Sequence, residues 1–454
     1  MSTTDTMEGI AHKTIFRELT ELEVLQEANR CLYCYDAPCT QACPTHIDVS
    51  GFIQRIATGN VLGSATLIME ANPLGASCAR VCPTEMLCEG ACVLNDETRP
   101  IHIGDLQRYA TDELRRKGVN PFDRPRVMPG NRVAVVGGGP AGLSAARELA
   151  RLGHVVTIYE AKEQLGGLNA YGIVPFRLPR DIVEWEVKQI LDLGVEVRYG
   201  VRIPEDVTVQ ELLADYDAIV LAFGMGNVPG LGIPGDDLEG VWDALDFIQR
   251  VKTGQPVGNL GNTVVVIGAG NTAIDAATCS RRLGVPSVTM YYRRSEREMS
   301  AYPFEYEFAK QEGVEFRWLC APVRLIGSRG RVQEVEFIRM RLEEPDDSGR
   351  PRPAPVPGSG FRVRADTVIR AIGQVRQTAL IEHFGVSHDD GVIRVNEQMR
   401  TSHPKIFAAG DCVFQKGRGE AMVVEAAEQG KRAAAAVHNL LAGGSERSGG
   451  EQDG

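Results

Sequence analysis

Two stretches of the chain share one pattern: a short unbroken apolar run, a glycine-rich turn, a helical run and a second apolar run. In the first, Val133–Val136 leads into Gly137-Gly-Gly139-Pro140-Ala141-Gly142, a helix is expected over Leu143–Leu152, and a strand over His154–Tyr159 ends at Glu160. In the second, Val264–Ile267 leads into Gly268-Ala-Gly270-Asn271-Thr272-Ala273, then a helix towards Leu283 and a strand over Ser287–Tyr292. Apolar runs of this length without alternation fit strands buried on both faces, and the order strand–turn–helix–strand makes each stretch a βαβ unit. Further strands are expected at Asp217–Phe223, Thr367–Ile372 and Lys405–Ala409.

Residues 14–118 lack strand patterning and predict short helices. Thr20 with Glu23 forms a capping box, Asp48 and Asn60 stand as N-caps, and Gly104–Lys117 predicts a further helix. Pro121, Pro125 and Pro129 mark a linker. The proline-rich stretch Pro345–Pro357 is read as a long hairpin loop.

The turns supply the first chemistry. In Gly137-x-Gly139-x-x-Gly142 the first glycine permits the tight turn, the second lets backbone approach a pyrophosphate, and the third allows close helix–strand packing. Pro140 and Ala141 open the helix whose N-terminus faces the phosphates, and Glu160 stands where it can accept bonds from a ribose. Gly166-Gly167-Leu168 and the late element Ile406–Gly410-Asp411 resemble those of two-dinucleotide flavoproteins, in which the aspartate contacts the flavin ribityl chain; this unit is therefore expected to take FAD. In the second unit Gly268, Gly270, Asn271, Thr272 and Ala273 form the loop, but no acid closes the following strand. Arg293-Arg294 stand there instead, which favours a 2′-phosphate and hence NADP(H) over NAD(H).

Eight of eleven cysteines lie between Cys31 and Cys92, spaced Cys31-x2-Cys34-x4-Cys39-x3-Cys43-Pro and Cys78-x3-Cys82-Pro-x5-Cys88-x3-Cys92. The Cys-Pro ending is that of ferredoxin runs whose last cysteine serves the neighbouring cluster. Cys31, Cys34 and Cys39 would then hold one cluster, Cys43 would reach a second, and the second group would return one cysteine to the first. Spacing alone makes Cys78 the remaining ligand of the second. Two closed zinc sites are the alternative. Cys279, Cys320 and Cys412 are isolated and read as inert thiols. Hydride transfer between stacked rings needs alignment more than acid–base groups, so no catalytic side chain is expected.

Composition narrows the setting. A net charge of −11 argues against a nucleic-acid footprint, and no apolar run is long enough for a membrane span. Without a secretory h-region at the N-terminus, a cytoplasmic protein with reduced thiols is expected.

Together these residues resemble the family of the glutamate synthase small subunit and, more closely, the N-terminal half of dihydropyrimidine dehydrogenase. The resemblance runs from about residue 14 to 441. It is carried by Cys43-Pro-Thr-His-Ile-Asp48, Asn72-Pro-Leu-Gly75, Val81-Cys-Pro-Thr84, Leu87-Cys88 and Ile103-Gly-Asp-Leu-Gln107. The resemblance implies one [4Fe–4S] cluster on Cys31, Cys34, Cys39 and Cys92, and a second on Cys43, Cys82, Cys88 and the amide oxygen of Gln107. It further implies a flavin contact for Arg177 and 2′-phosphate contacts for Arg293 and Arg294, although some two-subunit members prefer NADH. The implied fold is α/β: an N-terminal α-helical iron–sulfur domain (1–128), then two nested Rossmann-like domains of two-dinucleotide flavoprotein type. FAD falls to 129–225 and 368–442 and NAD(P)H to 226–367; the Gly/Ser/acid-rich composition of 443–454 is read as a disordered tail.

The implied function is that of an electron-transfer subunit. NAD(P)H feeds FAD and two [4Fe–4S] clusters, and an FMN/iron–sulfur partner subunit reduces uracil or thymine. The rivals are the glutamate synthase small subunit, the flavin subunit of a ferredoxin–NAD(P)H oxidoreductase and, in another class, a non-catalytic iron–sulfur redox sensor or scaffold.

Overall fold

The computed structural model describes residues 17–122, 131–345, 349–415 and 421–445. Contacts divide these into two units: one comprises 171–179 and 226–375, the other the remaining described residues. Pro125 and Pro129 of the expected linker lie outside the described residues.

In the larger unit the cysteine-bearing segment and the first βαβ unit share a single apolar core, in which Phe52, Ile56 and Met69 of the helical part cluster with Val133, Leu149 and Val220 of the sheet part. The expected caps are formed. Thr20 and Glu23 close a reciprocal capping box on Glu21–Ala28, Asp48 caps Val49–Ala57 and Asn60 caps Val61–Ala71. Each cap satisfies amide donors that a helix start leaves open.

The larger unit's sheet is parallel throughout, in the order Ile406–Ala408, Ala218–Leu221, Arg132–Val136, Val155–Glu160, Glu196–Tyr199. The smaller unit repeats this plan with Val241–Asp243, Thr367–Arg370, Thr263–Ile267, Ser287–Tyr291 and Glu315–Arg317, again all parallel. In both, the strand that feeds the glycine turn has a parallel neighbour on each side, Ala218–Leu221 and Val155–Glu160 in the larger unit, Thr367–Arg370 and Ser287–Tyr291 in the smaller, so the turn emerges beside carboxyl strand ends, the position at which open parallel sheets bind ligands.

The smaller unit also carries an antiparallel sheet. Arg331–Pro345 pairs with Cys320–Ser328, Phe361–Arg364 and Pro351–Pro355. The proline-rich stretch, expected as loop, thus contains a strand. Its prolines at 351, 353 and 355 alternate, and Pro351–Pro355 is an edge strand. Alternate edge residues point their amide positions away from the sheet, so the missing N–H groups cost nothing. The amide of Val356 still donates to the Arg339 carbonyl at 2.9 Å. The last helix, Val423–Ser445, runs through 443–445, where an Ala-rich helix continues into the segment expected to be disordered; 446–454 lie outside the described residues.

One buried acid gives the larger unit a pH-dependent contact. Glu186, in the helix Arg180–Leu191, is fully buried and accepts from the amide of Ser77 at 2.9 Å and from the Ser77 hydroxyl. Burial raises its carboxyl to about 7 although Ser77 and Arg80 oppose the shift. A carboxyl with its folded value above its unfolded one stabilises the fold fully below the unfolded value of 4.5, and this contribution is lost as pH rises through 7. Glu186→Gln keeps an acceptor for Ser77 and removes the titration. Denaturant unfolding at pH 5 to 8 is expected to show the variant gaining about 2–3 kcal/mol on the parent across this range; identical pH slopes would refute the assignment.

Candidate functional site

The first glycine turn is built by contacts that only glycine allows. Gly137 has φ 102°, its amide donates to the Tyr159 carbonyl at 2.9 Å, and a Cβ there would lie 2.5 Å from the Ala222 carbonyl oxygen. A Cβ on Gly142 would lie 1.9 Å from the carbonyl oxygen of Gly137. Gly139 differs. Its φ is −77°, open to any residue, and a Cβ there would meet nothing nearer than the Gly167 Cα at 3.8 Å. The fold does not require glycine at 139, and the space in front of it is what a pyrophosphate needs.

The remaining first-unit residues gather at this turn. Gly138 donates to Glu160 Oε2 at 2.9 Å, and Lys162 N to Oε1 at 2.8 Å. Gly166 N donates to the Gly138 carbonyl at 2.7 Å, Gly167 packs on Gly139, and Leu168 starts the helix Leu168–Tyr171. Pro140 is the first residue of the helix Pro140–Arg151, and Ala141 packs against Gly410. Asp411 is half-buried beside them. Burial raises its carboxyl, opposed by Arg376, which donates to the Asp411 carbonyl at 2.9 Å. Gln429, not expected from sequence, holds the Gly410 amide at 2.8 Å. Gly430, also missed, lets Val423–Ser445 cross Pro140–Arg151, since a Cβ there would lie 2.2 Å from the Ala141 carbonyl oxygen. Its signal was a glycine inside a helical pattern.

The second turn has the same construction. Gly268 has φ 138°, donates to the Tyr291 carbonyl at 3.0 Å, and would place a Cβ 2.2 Å from the Ala371 carbonyl oxygen. Ala273 is fully buried. Gly270 again has ordinary backbone, φ −98°, and a Cβ would meet only the movable Ser300 hydroxyl at 3.3 Å. Asn271 accepts from the Tyr302 amide at 3.2 Å, and Thr272 beside it is half-buried. Because Gly137 bonds Tyr159 and Gly268 bonds Tyr291, Glu160 and Tyr292 occupy equivalent positions. The second unit thus has tyrosine where the first has Glu160.

The two expected arginines separate. Arg293 is exposed, whereas Arg294 is buried with Nε donating to the Pro351 carbonyl at 2.9 Å. Arg177 lies in the smaller unit, buried against Asp275 at 3.1 Å and Glu305 at 2.5 Å. Burial there also lowers Lys252 to about 7, with Asp275 opposing. Neither carboxylate was singled out from sequence, since nothing local connects residue 177 with 275 or 305.

In the larger unit Cys31, Cys34, Cys39 and Cys92 line one cavity, closed by apolar neighbours such as Ile53, Ile101 and Ile103. Burial raises the thiol of Cys31, and that of Cys39 to about 11. An unligated thiol there stays protonated, so the thiolate form calls for a cationic partner. Cys82 is held well above its ordinary value by its bond with Cys78, by burial and by Cys88 and Cys43; burial raises Cys88 too. Of the two candidates for the last position of this second group, Cys78 interacts with Cys82, while Gln107 contacts the start of the helix that carries Cys78. Cys78 Sγ accepts from Asn72 Nδ2 at 3.2 Å, and Gln107 Nε2 donates to the Gly75 carbonyl at 2.7 Å, which turns the amide oxygen the other way. Among the described residues no three histidine, cysteine or carboxylate groups are arranged to hold a single metal ion. Cys279, Cys320 and Cys412 are buried and unpaired, with burial and Asp411 lifting Cys412 to about 12. No described helix is long and apolar enough to cross a membrane.

Such a molecule is an oxidoreductase that handles two dinucleotides alongside a cysteine-ligated centre. Residues 131–430 match the family model for pyridine nucleotide-disulphide oxidoreductase, and the chain belongs to that family. Residues 9–119 match the model for dihydropyrimidine dehydrogenase domain II, 4Fe-4S cluster. Flavin, nicotinamide and iron–sulfur chemistry follow from these two matches. The chain is 35% identical over 442 residues to the glutamate synthase [NADPH] small chain of Halomonas elongata, covering 94% of this chain and 93% of that one. It is 35% identical over 422 residues to the NAD-dependent dihydropyrimidine dehydrogenase subunit PreT of Salmonella typhimurium, covering 93% and 95%. Among solved structures it resembles Mycobacterium tuberculosis FprA in complex with NADPH, with a TM-score of 0.58 and 22% identity over 70% of this chain and 86% of that one, a likeness of fold.

Proposed function

We propose that this chain is the NAD(P)H-oxidising subunit of a two-subunit dihydropyrimidine dehydrogenase, working in the reducing cytoplasm. One observation carries the redox reading: two turns whose middle glycines the fold leaves open occur in one chain with a cavity of four cysteines. The match of residues 9–119 to a dihydropyrimidine dehydrogenase domain supports the pyrimidine assignment.

In this reading residues 129–225 and 368–442 hold FAD, 226–367 hold the nicotinamide dinucleotide with NADP(H) favoured, and two [4Fe–4S] clusters occupy the cysteine region. Bound flavin would take a hydride from the nicotinamide and release its electrons singly to the clusters. Gly139 and Gly270 admit the pyrophosphates, the helices beginning at Pro140 and Asn271 aim amide donors at them, and Glu160 anchors the first ribose. Ile53, Ile101 and Ile103 keep water from the four-cysteine cavity. An FMN-containing partner would complete the reaction NAD(P)H + H⁺ + uracil → NAD(P)⁺ + dihydrouracil.

The isolated chain is expected to reduce dyes with NAD(P)H and to leave uracil untouched, and addition of the partner is expected to restore uracil-dependent oxidation. Uracil reduction by the isolated chain would overturn the division of labour. Glutamine- and 2-oxoglutarate-dependent oxidation with a co-purifying partner would instead favour the glutamate synthase reading, which the Halomonas relative supports at equal identity.

A further inference from the structure

The antiparallel arm reaches the turn that follows Ser287–Tyr291, and two neighbouring contacts pin it there. Pro351 accepts from Arg294, and Arg350 donates through Nη2 to the Tyr292 hydroxyl at 3.1 Å and to the Glu298 carbonyl. Tyr292 is the position equivalent to Glu160. Where the first unit presents a carboxylate towards a ribose, the second presents a tyrosine hydroxyl held by a guanidinium.

We infer that Arg350, with Arg293, forms the clamp for the 2′-phosphate of the nicotinamide dinucleotide, and that Arg294 is a buried post fixing the arm. The inference rests on reading the second turn as the nicotinamide site. Arg294 is buried and bonded to the arm backbone, which makes it the poorer of the adjacent pair to meet a ligand. Arg293 is exposed, and among the described residues neither it nor Arg350 forms an ion pair with a carboxylate. Arg350 is half-buried and engages only Nη2 among the described residues, which leaves Nε and Nη1 for a phosphate oxygen. The nearby Glu298 carboxylate is turned back onto the amide and hydroxyl of Ser295, at 3.0 and 2.6 Å, so it does not neutralise the pair. Arg350 escapes sequence reading because it lies 57 residues beyond Arg293 on an arm whose pairing is not legible locally.

The test is equilibrium binding of NADPH, NADH and 2′,5′-ADP to the full chain and to Arg350→Ala, Arg350→Lys and Arg293→Ala. Arg350→Ala is expected to weaken NADPH and 2′,5′-ADP by about 10- to 100-fold, the loss of charge-assisted bonds to phosphate, and to leave NADH within about two-fold. Arg350→Lys is expected to recover part of the loss, since lysine keeps the charge without the fork. Equal weakening of NADPH and NADH by Arg350→Ala would make Arg350 a structural brace and overturn the clamp. No change with Arg350→Ala, while Arg293→Ala still costs NADPH, would remove the arm from the clamp and leave the nicotinamide reading standing. A parent chain that binds NADH but neither binds 2′,5′-ADP nor prefers NADPH would overturn the clamp alone, and one that binds no nicotinamide dinucleotide would overturn the site reading with it.

Discussion

A Gly139→Ala chain is expected to fold with the melting temperature of the flavin-free parent and to purify with less than about a tenth of the parent's flavin, because one methyl group at the second glycine blocks backbone approach to a pyrophosphate. The two halves of this result have separate causes. Residue 139 has φ −77°, and its Cβ would meet only the Gly167 Cα at 3.8 Å, so the polypeptide itself accepts alanine. Gly142→Ala is the contrast. Its Cβ would lie 1.9 Å from the Gly137 carbonyl oxygen, and the strand, turn and helix must part to admit it. That variant is expected to lose about 1–3 kcal/mol or more of stability as well as flavin. Gly270→Ala carries the same argument to the second unit: FAD retained, and NAD(P)H-dependent dye reduction reduced by at least about 100-fold, near the cost of misplacing a reacting group by an ångström. Flavin content after gel filtration and thermal melts of all three variants are the measurements. A yellow Gly139→Ala protein with the parent's flavin content would remove this turn from the flavin site.

Cys92→Ser is expected to lower bound iron by about four atoms per chain and to remove the matching share of the absorbance near 400 nm, as loss of one [4Fe–4S] cluster would. Cys92 lies far along the chain from Cys31, Cys34 and Cys39, yet lines the same cavity. Flavin binding and dye reduction with NAD(P)H are expected to persist, since the glycine turns are untouched. In the proposed two-subunit reading, electron delivery to the partner is expected to fall by about 100-fold or more, because the acceptor would then face a break in the chain of centres. The second centre is read by comparing Cys78→Ala with Gln107→Ala. Cys78 accepts from Asn72 and shares a thiol hydrogen bond with Cys82, while Gln107 is anchored to the Gly75 carbonyl at the start of the same helix. Iron lost from the glutamine variant alone would assign the amide oxygen, and iron lost from the cysteine variant alone would assign the thiol. A Cys92→Ser protein with the parent's iron content would contradict the first cluster altogether.

Much of the scaffold was legible because the signals are local. Thr20–Glu23, Asp48 and Asn60 each name a helix start from a side chain three residues from the amide it satisfies. The βαβ units were legible because glycine spacing and apolar runs are fixed within about thirty residues. The strand nature of Pro351–Pro355 was not, since its prolines are tolerated only on a sheet edge, and edge position depends on which partners arrive.

The sequence by itself determined the chemistry that local backbone sets: two dinucleotide turns, the acid at Glu160, its absence after the second turn, and cysteines at cluster spacing. Tertiary structure alone decided which residues meet. It brought Cys92 into the cavity with Cys31, buried Arg294 while leaving Arg293 exposed, sealed Arg177 against Asp275 and Glu305, and set Arg350 on Tyr292. Spacing along the chain controls only neighbours within a turn or two. Contacts across tens of residues depend on how helices and sheets bury their apolar faces, and that packing places the charges.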